Sequence, residues 1–235
     1  TISSTGNIST GVNGIGIYAK NNITSVGNIT AGVNSFGLYG ENTISSTGNI
    51  TVGNDGVGIY GKNTIISNGN ITAGNKGIGI YGENSITNSG SITTGNNSIG
   101  VYAKGQGVTV GNITVGKNNS TGIYLANGGG NVNSNGNMTI GENSYGVISN
   151  KGTNNFNFTS SNTSNVTVGN KGIYLYSTST NGTVTNNANI TGNGNEIYGL
   201  YTAGRNVVNN GNINLGSGIG NIGMYSIKGG TSRNS

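Results

Sequence analysis

Only five side chains of this 235-residue chain can act as carboxylates: Glu41, Asp55, Glu83, Glu142 and Glu196. There is no His and no Cys, so no imidazole base, thiol nucleophile or thiolate metal site can be built. The chemistry left to look for is a carboxylate pair flanking a glycosidic bond. Glu41 and Glu83 lie two repeats apart, about 9–10 Å if each repeat advances by one strand spacing. That is the edge of the separation an inverting glycosidase uses. Lys62 stands midway between them, however, and Lys20, Glu41, Lys62, Glu83 and Lys104 alternate in sign at constant spacing. Such a charge ladder accounts for these residues without catalysis. The expectation is a non-enzymatic chain with no catalytic residues, no metal and no cofactor. The Gly/Asp nonapeptide that binds calcium in β-solenoids is also missing.

Side chains that could bind are more numerous than those that could react. Tyr18, Tyr39, Tyr60, Tyr81 and Tyr102 recur at the same step as the charges. If they point outward they form an aromatic file that could meet a sugar ring or a protein, or could stack on itself. Asn21, Asn42, Asn63 and Asn84 form a second structural file, whose amides can bond to one another along the stack. Ser9, Thr30, Thr51, Thr72, Thr93 and Thr114 form a third, which raises ice binding as an alternative class. Triplets such as Asn28-Ile29-Thr30 and Asn49-Ile50-Thr51 match a glycosylation acceptor. They are equally the outward neighbours of an inward Ile, repeated in every unit.

What must position these residues is the period itself. Ile8, Ile29, Ile50, Ile71, Ile92 and Ile113 recur every 21 residues, and so do glycines from Gly6 to Gly111 and from Gly11 to Gly116. A strict repeat of this length means stacked like units rather than a globule. The first unit reads as three short strands, Ile2–Ser4, Asn7–Thr10 and Ile15–Ala19, joined by turns at 5–6, 11–14 and 20–21. Gly and Asn are expected at positive φ in those turns. Each strand pairs with its counterpart in the next unit. The predicted fold is all-β: a right-handed parallel β-helix, or β-solenoid, of about 21 residues per coil and roughly ten or eleven coils. Period-two alternation puts Ile8 and Thr10 inside with Asn7 and Ser9 outside. In the third strand it puts positions 15, 17 and 19 inside, with Phe36, Leu38 and Gly40 one unit later, and leaves Tyr18 outside.

Composition agrees with this plan. The chain is 31% hydrophobic and 6% charged, a balance that would suggest disorder, but its apolar residues are Ile, Val, Leu and Tyr at fixed positions. It contains no Pro, which could not donate to a ladder. The net charge of +5 comes from scattered Lys and Arg without a basic cluster, which argues against nucleic acid as a partner. No apolar run is long enough for a membrane-spanning helix.

Beyond Lys104 the period loosens. The chain 1–235 is expected to be one β-helix segment, with regular coils over 1–104 and irregular, decorated coils over 105–235. The irregular part supplies further binding candidates in Phe156, Phe158, Tyr174, Tyr176 and Arg205, because loops that interrupt a regular scaffold often carry function. The opening inside a repeat suggests a fragment of a longer chain. Both ends lack an evident polar cap, which makes end-to-end stacking into a structural filament another alternative.

The unit Gly-Asn-Ile-Thr-Val-Gly-Asn-Asp-Gly-Val-Gly-Ile-Tyr-Gly-Lys-Asn at 48–63, and its relative at 69–84, resemble the passenger repeats of large fusobacterial type V autotransporter adhesins. The resemblance is strong over 1–125 and weaker beyond. It implies a secreted passenger displayed at the cell surface, outside the outer membrane, whose own C-terminal barrel is absent from this sequence. It also implies cell adhesion and virulence. The chain would serve as a stalk and a binding surface for a host or bacterial surface protein or glycan.

Overall fold

The computed structural model describes all residues except 106, 153, 204–205, 228–230 and 235. The first coil sets the plan with β1 (Ile2–Ser4), β2 (Ile8–Thr10) and β3 (Ile15–Ala19). Each strand pairs in parallel with its counterpart one repeat later: Ile2 with Ile23, Ile8 with Ile29, Tyr18 with Tyr39. Continued, this gives three parallel sheets of eleven, ten and ten strands. The fold is an all-β solenoid of about ten turns and about 22 residues per turn.

The second sheet follows simple alternation. Ile29 and Ala31 are buried and Thr30 between them is exposed, and the same pattern recurs at 50–52, 71–73 and 92–94. The first sheet does likewise, with Ile44 and Ser46 buried. Each fully buried Ile contributes about 1.5–3 kcal/mol, and the sum accumulates along the axis rather than in one centre.

The third sheet departs from simple alternation. Its leading positions are not inside: Ile15 is 44% exposed and Phe36, Val57, Ile78 and Ile99 are half-buried. The Phe36 ring lies on the outer face, 5.6 Å from the Tyr39 ring. The cause is the glycine that follows. A Cβ at Gly37 would fall 2.5 Å from the Gly58 carbonyl oxygen and 2.5 Å from the Ile50 side chain. The strand therefore turns a corner at Gly37. Gly37 and Leu38 are both buried, and the residue before the corner is thrown outward.

The turns meet the expectation for Asn13 and its successors but not for glycine. In the regular coils positive φ belongs to Asn13, Asn34, Asp55, Lys76 and Asn97, all between the second and third sheets, and not to glycine. The Asn21, Asn42, Asn63 and Asn84 file is not among the positive-φ residues either. Glycine serves close approach instead. A Cβ at Gly48 would lie 2.1 Å from the carbonyl oxygen of Gly27 in the coil below.

Beyond Lys104 the register survives the longer turns. Ile113 pairs with Met138, Met138 with Val166 and Val166 with Ile190. Extra residues collect in the turn from the third sheet to the first, as between Ser149 and Phe156. One buried cluster runs from Ile17 to Leu215. Phe156, Phe158 and Tyr174 belong to it, at 0%, 1% and 0% exposure. Tyr174 occupies the corner position that is glycine at Gly37, Gly58 and Gly146. Its ring meets the Phe158 ring edge-on at 5.9 Å.

Candidate functional site

Two outer files run side by side along the third sheet and its exit turn. Tyr39, Tyr60, Tyr81 and Tyr102 are in register, and their ring centroids are 4.6, 4.8 and 4.7 Å apart. The interplanar angles are only 18°, 17° and 7°, so the rings are stacked. Tyr18 and Tyr124 extend the run with tilted rings at 5.2 and 5.4 Å. Ile148 then takes the tyrosine position and breaks the file. It resumes as Tyr176, Tyr201 and Tyr225, spaced 5.0 and 4.9 Å.

The charge file lies next to this one. Lys62 pairs with Glu41 and Lys104 with Glu83, both at 3.4 Å. The tyrosine hydroxyls join in alternate coils: Tyr18 donates to Glu41 at 2.9 Å and Tyr60 to Glu83 at 2.8 Å. Lys104 also stands 5.3 Å from the Tyr81 ring centre. The carboxyl groups of Glu41 and Glu83 are held below their ordinary range, first by the hydrogen bonds from Tyr18 and Tyr60 and then by the neighbouring lysines. A glycosidase acid needs the opposite shift. Burial, then the bond to Glu83, pushes the Tyr60 hydroxyl well above its usual value. The asparagine file bonds as a ladder, Asn63 to Asn42 at 2.9 Å and Asn84 to Asn63 at 3.0 Å.

The tyrosine file is thus placed outward, but its rings are spent on one another. A sugar ring stacks on a free aromatic face, and both faces of Tyr60 are covered by Tyr39 and Tyr81. Only ring edges and hydroxyls remain for a ligand. Tyr176 belongs to the same outer file. Phe156, Phe158 and Tyr174, by contrast, are sealed in the core and present no surface to a partner. For the two phenylalanines alternation carries the signal, since Phe156 and Phe158 pair with the inward Gly130 and Val132 one coil below; Tyr174 breaks the alternation and had no such signal. Arg205 lies outside the described residues.

Three features have no counterpart in the expectations above. A second set of ion pairs, Lys117–Glu142 and Lys171–Glu196 at 3.7 Å each, lies at the turn between the second and third sheets. The asparagines preceding the second sheet cap the next coil: the side-chain oxygens of Asn7, Asn28 and Asn49 accept the backbone N–H of Asn28, Asn49 and Asn70 at 2.9 Å. Inside the last coils the buried Asn186 donates to the buried Asn209 at 2.7 Å, and Asn209 donates in turn to the exposed Asn234 of the final strand at 2.7 Å. The shared 21-residue spacing of Asn7, Asn28 and Asn49 was the available signal for the capping ladder. The interior ladder had none, because polar residues on an inward face are not expected.

Among the described residues no group of three His, Cys, Asp or Glu side chains could hold a metal ion. No family model, no curated protein and no solved structure matches the chain.

Proposed function

We propose that this chain is a non-enzymatic segment of a bacterial cell-surface adhesin, a stiff rod that holds a binding element away from the cell. The observation that carries this reading is the unbroken register of three parallel sheets, maintained even where turns lengthen. A stack in which every coil is bonded to the next resists bending and transmits load along its axis. Surface residues serve this stack: tyrosines cover each other, lysines neutralise glutamates, asparagines cap backbone groups. The depressed carboxyls of Glu41 and Glu83 support a role outside catalysis. The resemblance of units 48–63 and 69–84 to autotransporter passengers supports a location at the cell surface.

The deciding experiment is fractionation of source cells and immunoblotting with antibody raised against this segment. The reading predicts a chain many times heavier than 23.5 kDa in the outer-membrane fraction. A native chain near 23.5 kDa in another fraction overturns it.

A second reading has one specific support. Ser9 and the threonines at 30, 51, 72, 93, 114, 139, 167 and 191 form a straight, exposed file on the second sheet. A regular hydroxyl–methyl array suits ice, and thermal hysteresis of the purified chain tests it. The single width of the file makes this the weaker reading.

A further inference from the structure

The tyrosine file has a chemistry that neither stacking nor the stalk role uses. We propose that it is a site of oxidative modification, in which neighbouring tyrosines of the file couple to dityrosine and staple adjacent coils, with Tyr60 as the entry point.

Two independent geometric facts carry this. First, Tyr39, Tyr60, Tyr81 and Tyr102 hold their rings parallel and within 4.6–4.8 Å, centre to centre. A phenoxyl radical formed on one ring is already in contact with its coupling partner. Such prepaid proximity is the largest entropic part of joining two groups. Second, the Tyr60 hydroxyl donates to Glu83 at 2.8 Å. A phenol that loses an electron becomes a strong acid, and Glu83 is placed to take that proton in the same step. Glu83 is kept ionised for this by its hydrogen bond from Tyr60 and by Lys104. The rings are half-buried, so their edges are open to a small oxidant.

The reaction balances with a one-electron oxidant from solution, such as a peroxide-driven peroxidase or a photo-oxidant. Tyr60 gives one electron to the oxidant and its proton to Glu83. Tyr39 or Tyr81 gives a second electron to the oxidant and its proton to water. The two phenoxyl radicals form one carbon–carbon bond between positions ortho to the hydroxyls. The two ring hydrogens at those carbons leave as protons and the two ring oxygens each take up a proton, restoring both phenols. Glu83 returns its proton to solvent. The net change is two C–H bonds broken, one C–C bond formed, two protons released to solvent and two electrons accepted by the oxidant.

The file also sets the limits of the reaction. Ile148 separates Tyr124 from Tyr176, so no link crosses that coil. Tyr145 and Tyr198 meet the file edge-on at 6.3 and 6.1 Å, outside the stack.

The test is photo-oxidation of the dilute, folded chain with a ruthenium tris-bipyridyl complex and persulfate, followed by unfolding, trypsin digestion and mass spectrometry. Cleavage after Lys20, Lys62, Lys76 and Lys104 separates the partners: a Tyr60–Tyr81 link joins peptide 21–62 to peptide 77–104, and a Tyr39–Tyr60 link removes two hydrogens within 21–62. The expected result is dityrosine fluorescence on a monomeric chain, with links confined to neighbours in the file. Tyr60→Phe keeps the stacked ring and abolishes the 21–62/77–104 link. Glu83→Gln slows dityrosine formation about tenfold or more. Ile148→Tyr creates a link between Tyr124 or Tyr176 and the new phenol. Links that are mainly intermolecular, links between Tyr124 and Tyr176 in the unsubstituted chain, or a rate indifferent to Glu83→Gln overturn the proposal. None of these outcomes depends on whether the chain serves as an adhesin stalk.

Discussion

The Tyr60 hydroxyl donates a 2.8 Å hydrogen bond to Glu83, 23 residues further along the chain and one coil away. That bond ties the aromatic file to the charge file. It also fixes how the chain responds to pH. The Glu83 carboxyl is lowered from its ordinary 4.5, chiefly by Tyr60. A depressed carboxyl stabilises the fold above the unfolded value and loses that contribution as pH falls through the folded value. The Tyr60 hydroxyl is raised, so its contribution is complete below 10 and is lost as the pH climbs above it. Thermal unfolding should therefore be flat between these limits and decline outside them. The pair is partly exposed and screened, so Glu83→Gln should lower stability by about 1 kcal/mol or less at pH 7. The same substitution should flatten the acid limb, which a pH series of melting curves measures. An unchanged acid limb would remove Glu83 from the explanation.

Glycine at 48 is required by the coil below rather than by its own φ. Gly48→Ala puts a Cβ 2.1 Å from the Gly27 carbonyl oxygen, and backbone cannot yield as a side chain can. The expected loss is about 2–3 kcal/mol in urea denaturation. Gly6→Ala is the control. Nothing lies within 4 Å of a Cβ there, and the change should stay within about 0.5 kcal/mol.

Lys76 holds φ at 56°, a conformation that Asn adopts more readily than Lys. Three counterparts in the same file, Asn13, Asn34 and Asn97, already use Asn. Lys76→Asn should stabilise the chain by up to about 1 kcal/mol. Denaturation midpoints of the two proteins decide it, and a lower midpoint for the variant counts against the backbone argument.

Tyr174 buries its hydroxyl without a hydrogen-bond partner. The nearby Ser160 Oγ is already committed, donating to Asn186 at 2.8 Å and accepting from the backbone N–H of Asn187 and Ala188. Burial pushes the phenol far above its usual ionisation range. Tyr174→Phe should be neutral or stabilising by about 1 kcal/mol, because the uncompensated hydroxyl is removed. Tyr174→Gly restores the usual corner residue but empties the ring's space, and should cost about 3–5 kcal/mol. In an alkaline spectrophotometric titration Tyr174, like Tyr60, should ionise late, and Tyr174→Phe should shrink that late step by one tyrosine.

The 21-residue spacing by itself determined the architecture: three strands per coil, parallel in-register pairing, the outward tyrosines and the alternating charges. It could do so because in a stack the neighbour in space is the residue one period away, so sequence spacing is contact. Where a contact obeys that rule, as Tyr60 with Tyr81 or Lys62 with Glu41, the residues are legible in the chain. The tertiary structure alone decided what happens within a coil. The corner at Gly37 turns Phe36 outward and breaks the two-residue alternation, because two backbones approach there more closely than a Cβ permits. Alternation already puts Phe156 and Phe158 inside, but only packing decides that Tyr174 is buried at a corner that is glycine in other coils. Whether a tyrosine ring is a free platform or a covered one also depends on ring angles, and those are set by packing between coils, not by the period.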